Sequence, residues 1–419
     1  MNKKAIMVTT LVLLAALLAA LPGLVGCGKE EVVTGTFSIG WLQDLTGRAG
    51  FGVKQVYDGL DDYIRKTTEE DPIPGVRIKL LAYDTKSDYG RVVPGYVWLR
   101  GQKATLLSVA AHDATLVADR FAADQWPVFY MSNMPQMLTN EWYYTVYGTS
   151  ASMVETLLQS VRETWDYGTK GKPKVGVLTY AGVVYYEDFL NTTEAVISQY
   201  PDKYDWVGAQ KAPTTTTAWA TEVFKLKDCD IIFCFLSGTP LASFVKEARD
   251  RGFKGEFMGP LDSFPAYWGL VRAAVPVAQL DGIISALGMP AIDEPNNPLI
   301  NEVKAYMQQY RTADQIKNYS GGTGYSTGWA MGKILVDIVK RAAAEVGAEN
   351  VGNIAGSTLR DLIRETNLTV DGWGETFKYR GNLGALSRTA MMYRFSAAED
   401  KWVSISGWFV PASLAVAGE

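Results

Sequence analysis

Two α/β domains built on parallel sheets are predicted by three observations. Strand and helix patterns alternate nearly to the end of the chain, and such alternation implies parallel sheets covered on both faces. The alternation completes one set by about residue 132 and restarts with a helix near residue 152. The 419 residues exceed what a single hydrophobic core holds. Ligands of such sheets bind in the crevice beyond the carboxyl ends of the strands, so two facing sheets predict an interdomain cleft.

The elements follow in order. "TFSIGWL" (36–42) is a strand, and residues 52–66 place Val53, Val56, Leu60 and Ile64 on one helical face. "VRIKLLAYD" (76–84) alternates as a strand does. A helix over 91–101 follows, with Pro94 tolerated only in its first turn. Strands at 104–110 and 127–132 flank a helix over 113–125. The second set holds helices over 152–165, 187–199, 217–227 and 240–252. Its strands are 174–180, "YDWVGAQ", "CDIIFCFL", "GEFMGP" and "LDGIISALG". Helices over 298–310, 325–346 and 356–365 come next, then a tail of three strands between Gly372 and Trp408.

The chain opens with Lys3 and Lys4, an apolar run from Ala5 to Leu21, and the helix breakers Pro22 and Gly23. A positive start, an apolar stretch and a small-residue zone form a secretory signal. The run is at the short end of the roughly 20 residues a membrane span needs. Leu24-Val25-Gly26-Cys27 resembles the bacterial lipobox, in which the cysteine takes lipid and cleavage falls just before it. Several acyl chains on one residue suffice for stable anchoring, where one gives only marginal binding. The resemblance implies that residues 1–26 are a lipoprotein signal peptide and 27–35 a lipid-anchored tether. The mature body is expected outside the cytoplasm, held to a bacterial membrane.

Net charge is −5, and −7 without Lys3 and Lys4; no basic cluster offers a footprint for nucleic acid. Cys229 and Cys234 read as one strand, five residues apart, hence about 16 Å at about 3.3 Å per residue. That exceeds the about 7 Å a disulfide allows, so both are expected as free buried thiols. There is no phosphate loop, dinucleotide fingerprint or Cys/His metal cluster, and no cofactor is expected. "GYSTG" (324–328) matches a nucleophile elbow at Ser326, but no strand precedes it and the only histidine, His112, lies far upstream. An envelope serine hydrolase is therefore the lesser alternative to a binding protein.

"FSIGWLQDLTGRAGFGVKQVYDGLDDYI" resembles the opening of the branched-chain amino-acid binding proteins of ABC transporters, with Asp44-Leu45-Thr46-Gly47 as the turn after the first strand. "LLAYDTKSD" and "FKGEFMGP" are similar to further strands of that family. The resemblance covers nearly the whole mature chain. It implies a type I periplasmic-binding fold, two doubly wound lobes joined by a three-stranded hinge. The lobes would be 36–150 plus 283–370 and 151–282 plus 371–419, with crossings near 150, 282 and 370. It also implies a small-molecule ligand in the cleft and delivery to a permease with ATPase subunits.

Carried over residue by residue, the resemblance implies a site. "VAAHDAT" supplies Ala110 and His112, the latter where the family has a serine. "MSNM" supplies Ser132 and Asn133, and Phe51 matches an aromatic that packs on the ligand side chain. Tyr185, or Tyr186, matches a lid tyrosine, and Ser237 falls where another lies. The family's ammonium-binding glutamate position holds Leu261, with Asp262 one step along. Ser87 and Ala111 stand where some members have a disulfide. His112 reads as a ligand contact or as a helix-capping or surface histidine, with a catalytic role remote. Asp113 reads as an acidic residue at a helix start or as an ammonium partner. Trp41, Trp142, Trp219 and Trp268 read as core or as cleft aromatics. The ligand class stays open between an amino acid or small carboxylate and amides, urea or aromatic acids.

Overall fold

The computed structural model describes residues 32–132, 134–381 and 383–415. Cys27 and the leader lie outside them. The first sheet holds β1 (Gly35–Gln43), β2 (Val76–Asp84), β3 (Leu106–Val109), β4 (Val128–Tyr130) and β5 (Tyr143–Thr145), in the order β2-β1-β3-β4-β5. All its pairs are parallel. The second sheet takes β6 (Lys174–Tyr180), β7 (Asp205–Ala212), β8 (Ile231–Phe235), β9 (Glu256–Pro260) and β10 (Ile284–Leu287). Two tiny strands, β11 (Asn367–Leu368) and β12 (Phe377–Lys378), pair with each other. β13 (Met391–Ser396) and β14 (Lys401–Ser404) then complete the order β14-β13-β10-β9-β8-β6-β7. They add to it antiparallel.

Position in the sheet explains the sequence of each strand. Central strands buried on both faces are continuous apolar runs, as in "IIFCF" of β8, every residue of which is buried. The edge strands β2 and β7 mix partly exposed residues into the pattern and carry Lys79, Asp205 and Lys211. Cys229 precedes β8 rather than lying in it; it and Cys234 are free and buried.

The Gly50–Glu70 helix buries the predicted face of Val53, Val56, Leu60 and Ile64. It crosses the Gly324–Val346 helix at glycines. A Cβ on Gly59 would fall 2.0 Å from the Tyr325 carbonyl oxygen, and one on Gly328 2.0 Å from that of Val56. The expected 113–125 helix is two short ones, Ala111–Ala114 and Ala118–Ala123, because Val117 at φ −128° leaves the helical conformation. β5 has only three residues and carries no pattern that marks it as a strand.

The chain passes between the sheets three times. The first passage follows β5, after which the Ser150–Thr164 helix packs on β9 and β10. The second falls after 287 rather than near 282, because β10 pairs with β9 in the second sheet. The third falls near 388 rather than near 370. Residues 384–387 still bond alongside β5, with Leu386 N–H donating to Thr145 O at 3.0 Å and Ser387 N–H to Val146 O at 2.9 Å.

Candidate ligand-binding site

The carboxyl ends of both sheets converge on one cavity of about 80 Å³. From the first sheet, β1 leads into Asp44 and Arg48, β3 into Ala110 and His112, and β4 into Ser132. From the second, β6 leads into Tyr185 and Tyr186, β8 into Ser237, and β9 into Asp262. Thr323 and Thr327, at the start of the Gly324–Val346 helix, close one side.

Its polar groups fall into two kinds. Some are spent on the protein. The Asp44 carboxylate accepts from the N–H groups of Gly47 and Ala49 and from the Ser87 hydroxyl, which shapes the loop after β1. Asp84 braces the same loop by accepting from Leu45 N–H at 2.9 Å and from the Thr46 hydroxyl. Others point to a guest. Among the described residues the buried hydroxyls of Tyr130, Ser132 and Thr323 find no partner, although a buried polar group without a hydrogen bond is costly. Their residues are at most 2% exposed.

Asp262 is buried, and burial raises its carboxyl to about 6 against the opposing hydrogen bond from Tyr185. His112 keeps 29% of its side chain exposed, and its Nε2 lies 3.0 Å from an Asp113 carboxylate oxygen. Burial alone would lower the His112 pKa; the Asp113 carboxylate outweighs it, and the net direction is upward. The His112 and Tyr185 rings meet at 5.8 Å across the cleft. Arg48 Nη1 donates to the Ser237 hydroxyl at 3.2 Å, and the guanidinium sits 4.9 Å from the Tyr180 ring centre. The two lobes thus touch around the cavity.

A family model described as periplasmic binding protein matches residues 36–400. The chain belongs to that family. A search of curated proteins finds no match. Among solved structures, a branched-chain amino acid ABC transporter protein from Thermus thermophilus with bound valine superposes with a TM-score of 0.78 at 13% identity, over 91% of this chain and 98% of that one. A fatty acid ABC transporter substrate-binding protein from Thermomonospora curvata gives 0.76 at 16%, over 92% and 95%. An ABC transporter solute-binding protein from R. palustris in complex with benzoate gives 0.71 at 15%, over 91% and 100%. At these identities the likeness is one of fold, the type I periplasmic-binding architecture.

Within this periplasmic binding protein, Ala110, His112, Ser132, Tyr185, Ser237 and Asp262 all reach the cavity. Asn133 lies outside the described residues. Phe51 does not reach it. Its ring approaches Gly269 and lines a separate shallow depression with Asn318 and Tyr319, because its position on the Gly50–Glu70 helix points away from Val53 and Val56, which do line the cavity. Trp41, Trp142, Trp219 and Trp268 are core, and the cleft aromatics are instead tyrosines, with Tyr130, Tyr186 and Tyr267 beside Tyr185. Ser326 is buried in the first turn of its helix, and its hydroxyl donates to Thr323 O at 3.1 Å. Arg48 and Thr323 were missed. The one signal for Arg48 was a lone charge between Asp44 and Lys54 in an otherwise small and apolar loop.

Proposed function

We propose that this periplasmic binding protein is the extracytoplasmic receptor of an ABC importer. It takes an amino acid of the branched-chain type, or a related small carboxylate, and delivers it to a permease with ATPase subunits. Cys27 would carry the lipid that holds it at the membrane; among the described residues no helix is long and apolar enough to cross one. The observation that carries the reading is the cavity itself. Three buried hydroxyls that find no partner among the described residues share, with the Asp262 carboxyl, a space lined by Val53, Val56, Val183 and Leu261. That set suits a carboxylate accepting from hydroxyls, an ammonium at Asp262, and a short aliphatic side chain.

A second reading has its own support. With a carboxyl raised to about 6, Asp262 is readily protonated and then donates, which suits an amide or an aromatic acid. A thermal-shift screen of the purified mature protein separates the two, using aliphatic amino acids, amides, urea and aromatic carboxylates. Ligand at 100 times its Kd adds about 2.7 kcal/mol of stability. Stabilisation by leucine or valine supports the first reading; stabilisation only by amides, urea or aromatic acids replaces it with the second.

A further inference from the structure

Arg48 belongs to the first lobe, in the loop after β1, yet its contacts lie across the cleft. Nη1 donates to Ser237 Oγ, and the guanidinium stands over the Tyr180 ring. Among the described residues no carboxylate lies within ion-pair distance of it. The nearby acids have other partners: Asp44 takes its three loop donors and Asp113 takes His112. Burial raises the phenols of Tyr186 and Tyr267, so these neighbours stay neutral and supply no counter-charge. A partly buried guanidinium whose acceptors among the described residues are the neutral hydroxyls of Ser237 and Tyr180 is an anion site awaiting its anion. Its planar fork matches a carboxylate with two parallel bonds, which a lysine ammonium does not reproduce.

We propose that Arg48 is the specificity-determining residue of this cleft: it holds the ligand's acid group and, through Ser237 and Tyr180, ties that group to the second lobe. The ligand's anionic end thus becomes the element that closes the lobes. The hydroxyls of Ser132, Tyr130 and Thr323, without partners among the described residues, lie in the same cavity and complete an acid-binding face. This inference rests on the ligand reading above and adds to it the residue that selects for charge.

The test is calorimetric titration of the wild type, Arg48→Gln, Arg48→Lys and Ser237→Ala. The probes are L-leucine, L-leucinamide, 4-methylpentanoate and benzoate. Circular dichroism checks the fold of each variant. The expected result is that Arg48→Gln weakens carboxylate probes by about 10- to 100-fold, the range of a hydrogen bond to a charged group, and weakens leucinamide far less. Arg48→Lys falls between, and it carries the test should the glutamine variant not fold. Arg48-dependent binding of benzoate or 4-methylpentanoate without leucine overturns the amino-acid reading and keeps Arg48. Equal leucine binding by wild type and Arg48→Gln overturns Arg48 and keeps the amino-acid reading. Two other results also overturn the proposal. One is that Arg48→Gln and Ser237→Ala weaken leucinamide and carboxylates alike, which marks a mere latch. The other is that no carboxylate binds the wild type.

Discussion

Asp262 has a carboxyl held near 6 in the folded protein against an ordinary value of 3.8, because burial disfavours its charge. A raised acid binds more protons folded than unfolded, so its contribution to the stability of the ligand-free protein falls as pH rises from about 4 to 6. At about 1.36 kcal/mol per pH unit, the gap amounts to about 3 kcal/mol. Asp262→Asn is therefore expected to stabilise the ligand-free protein above pH 7 by a sizeable part of that amount and to leave it little changed at pH 4, read from urea unfolding at both pH values. An unchanged midpoint at pH 7 would show that Asp262 is not desolvated. At this scale the sequence was partly legible. Of the residues the resemblance named, Ser132, Ser237 and Asp262 reach the cavity from two residues beyond a strand end, where register is fixed by the sheet, and His112 and Tyr185 reach it from the first turn of the helix that follows a strand. Phe51 sits within a helix, where one position turns a side chain by about 100°, given 3.6 residues per turn, and alignment alone cannot set that. Arg48 was hidden because its meaning comes from Ser237 and Tyr180, more than a hundred residues away.

The Gly50–Glu70 and Gly324–Val346 helices together set one wall of the cavity, the first through Val53 and Val56, the second through Thr323 and Thr327. Their backbones approach so closely that neither Gly59 nor Gly328 has space for a methyl group. Gly328→Ala is expected to cost about 1–3 kcal/mol or more through overpacking, and to weaken ligand binding by displacing Thr327 and Thr323. A thermal melt with a parallel titration checks both. The same pair is locked by Arg311, which reaches Asp62 through Nε at 2.6 Å and Nη2 at 2.7 Å, while Tyr319 and Tyr325 donate to Asp58 and Asp62. Breaking a buried pair leaves an uncompensated charge, so Arg311→Met should destabilise by about 3–5 kcal/mol in denaturant unfolding. Elements of this length were legible because an amphipathic period repeats over many turns. β5 and the break at Val117 were not, since three residues carry no period and a single backbone angle leaves no compositional trace.

The molecule as a whole is two sheets whose carboxyl ends face each other, joined by three passages of chain. The alternation of patterns was enough to predict the sheets and their cleft. The second and third passages shifted because strand pairing, not local pattern, assigns β10 to the second sheet and residues 384–387 to the first. Arg48 meets Ser237 and His112 meets Tyr185 across the cleft, so the lobes touch through residues that line the cavity. The central claim is that this cleft takes a small zwitterion, with its ammonium at Asp262. The most direct test is calorimetric titration of the wild type with L-valine at pH 5.0 and pH 6.5. Over that interval Asp262 passes from mostly protonated to mostly ionised. The account predicts one-to-one binding that tightens by several-fold, approaching tenfold, at the higher pH. Valine binding that weakens over the interval, or no valine binding beside clear binding of an aromatic acid or an amide, would contradict it.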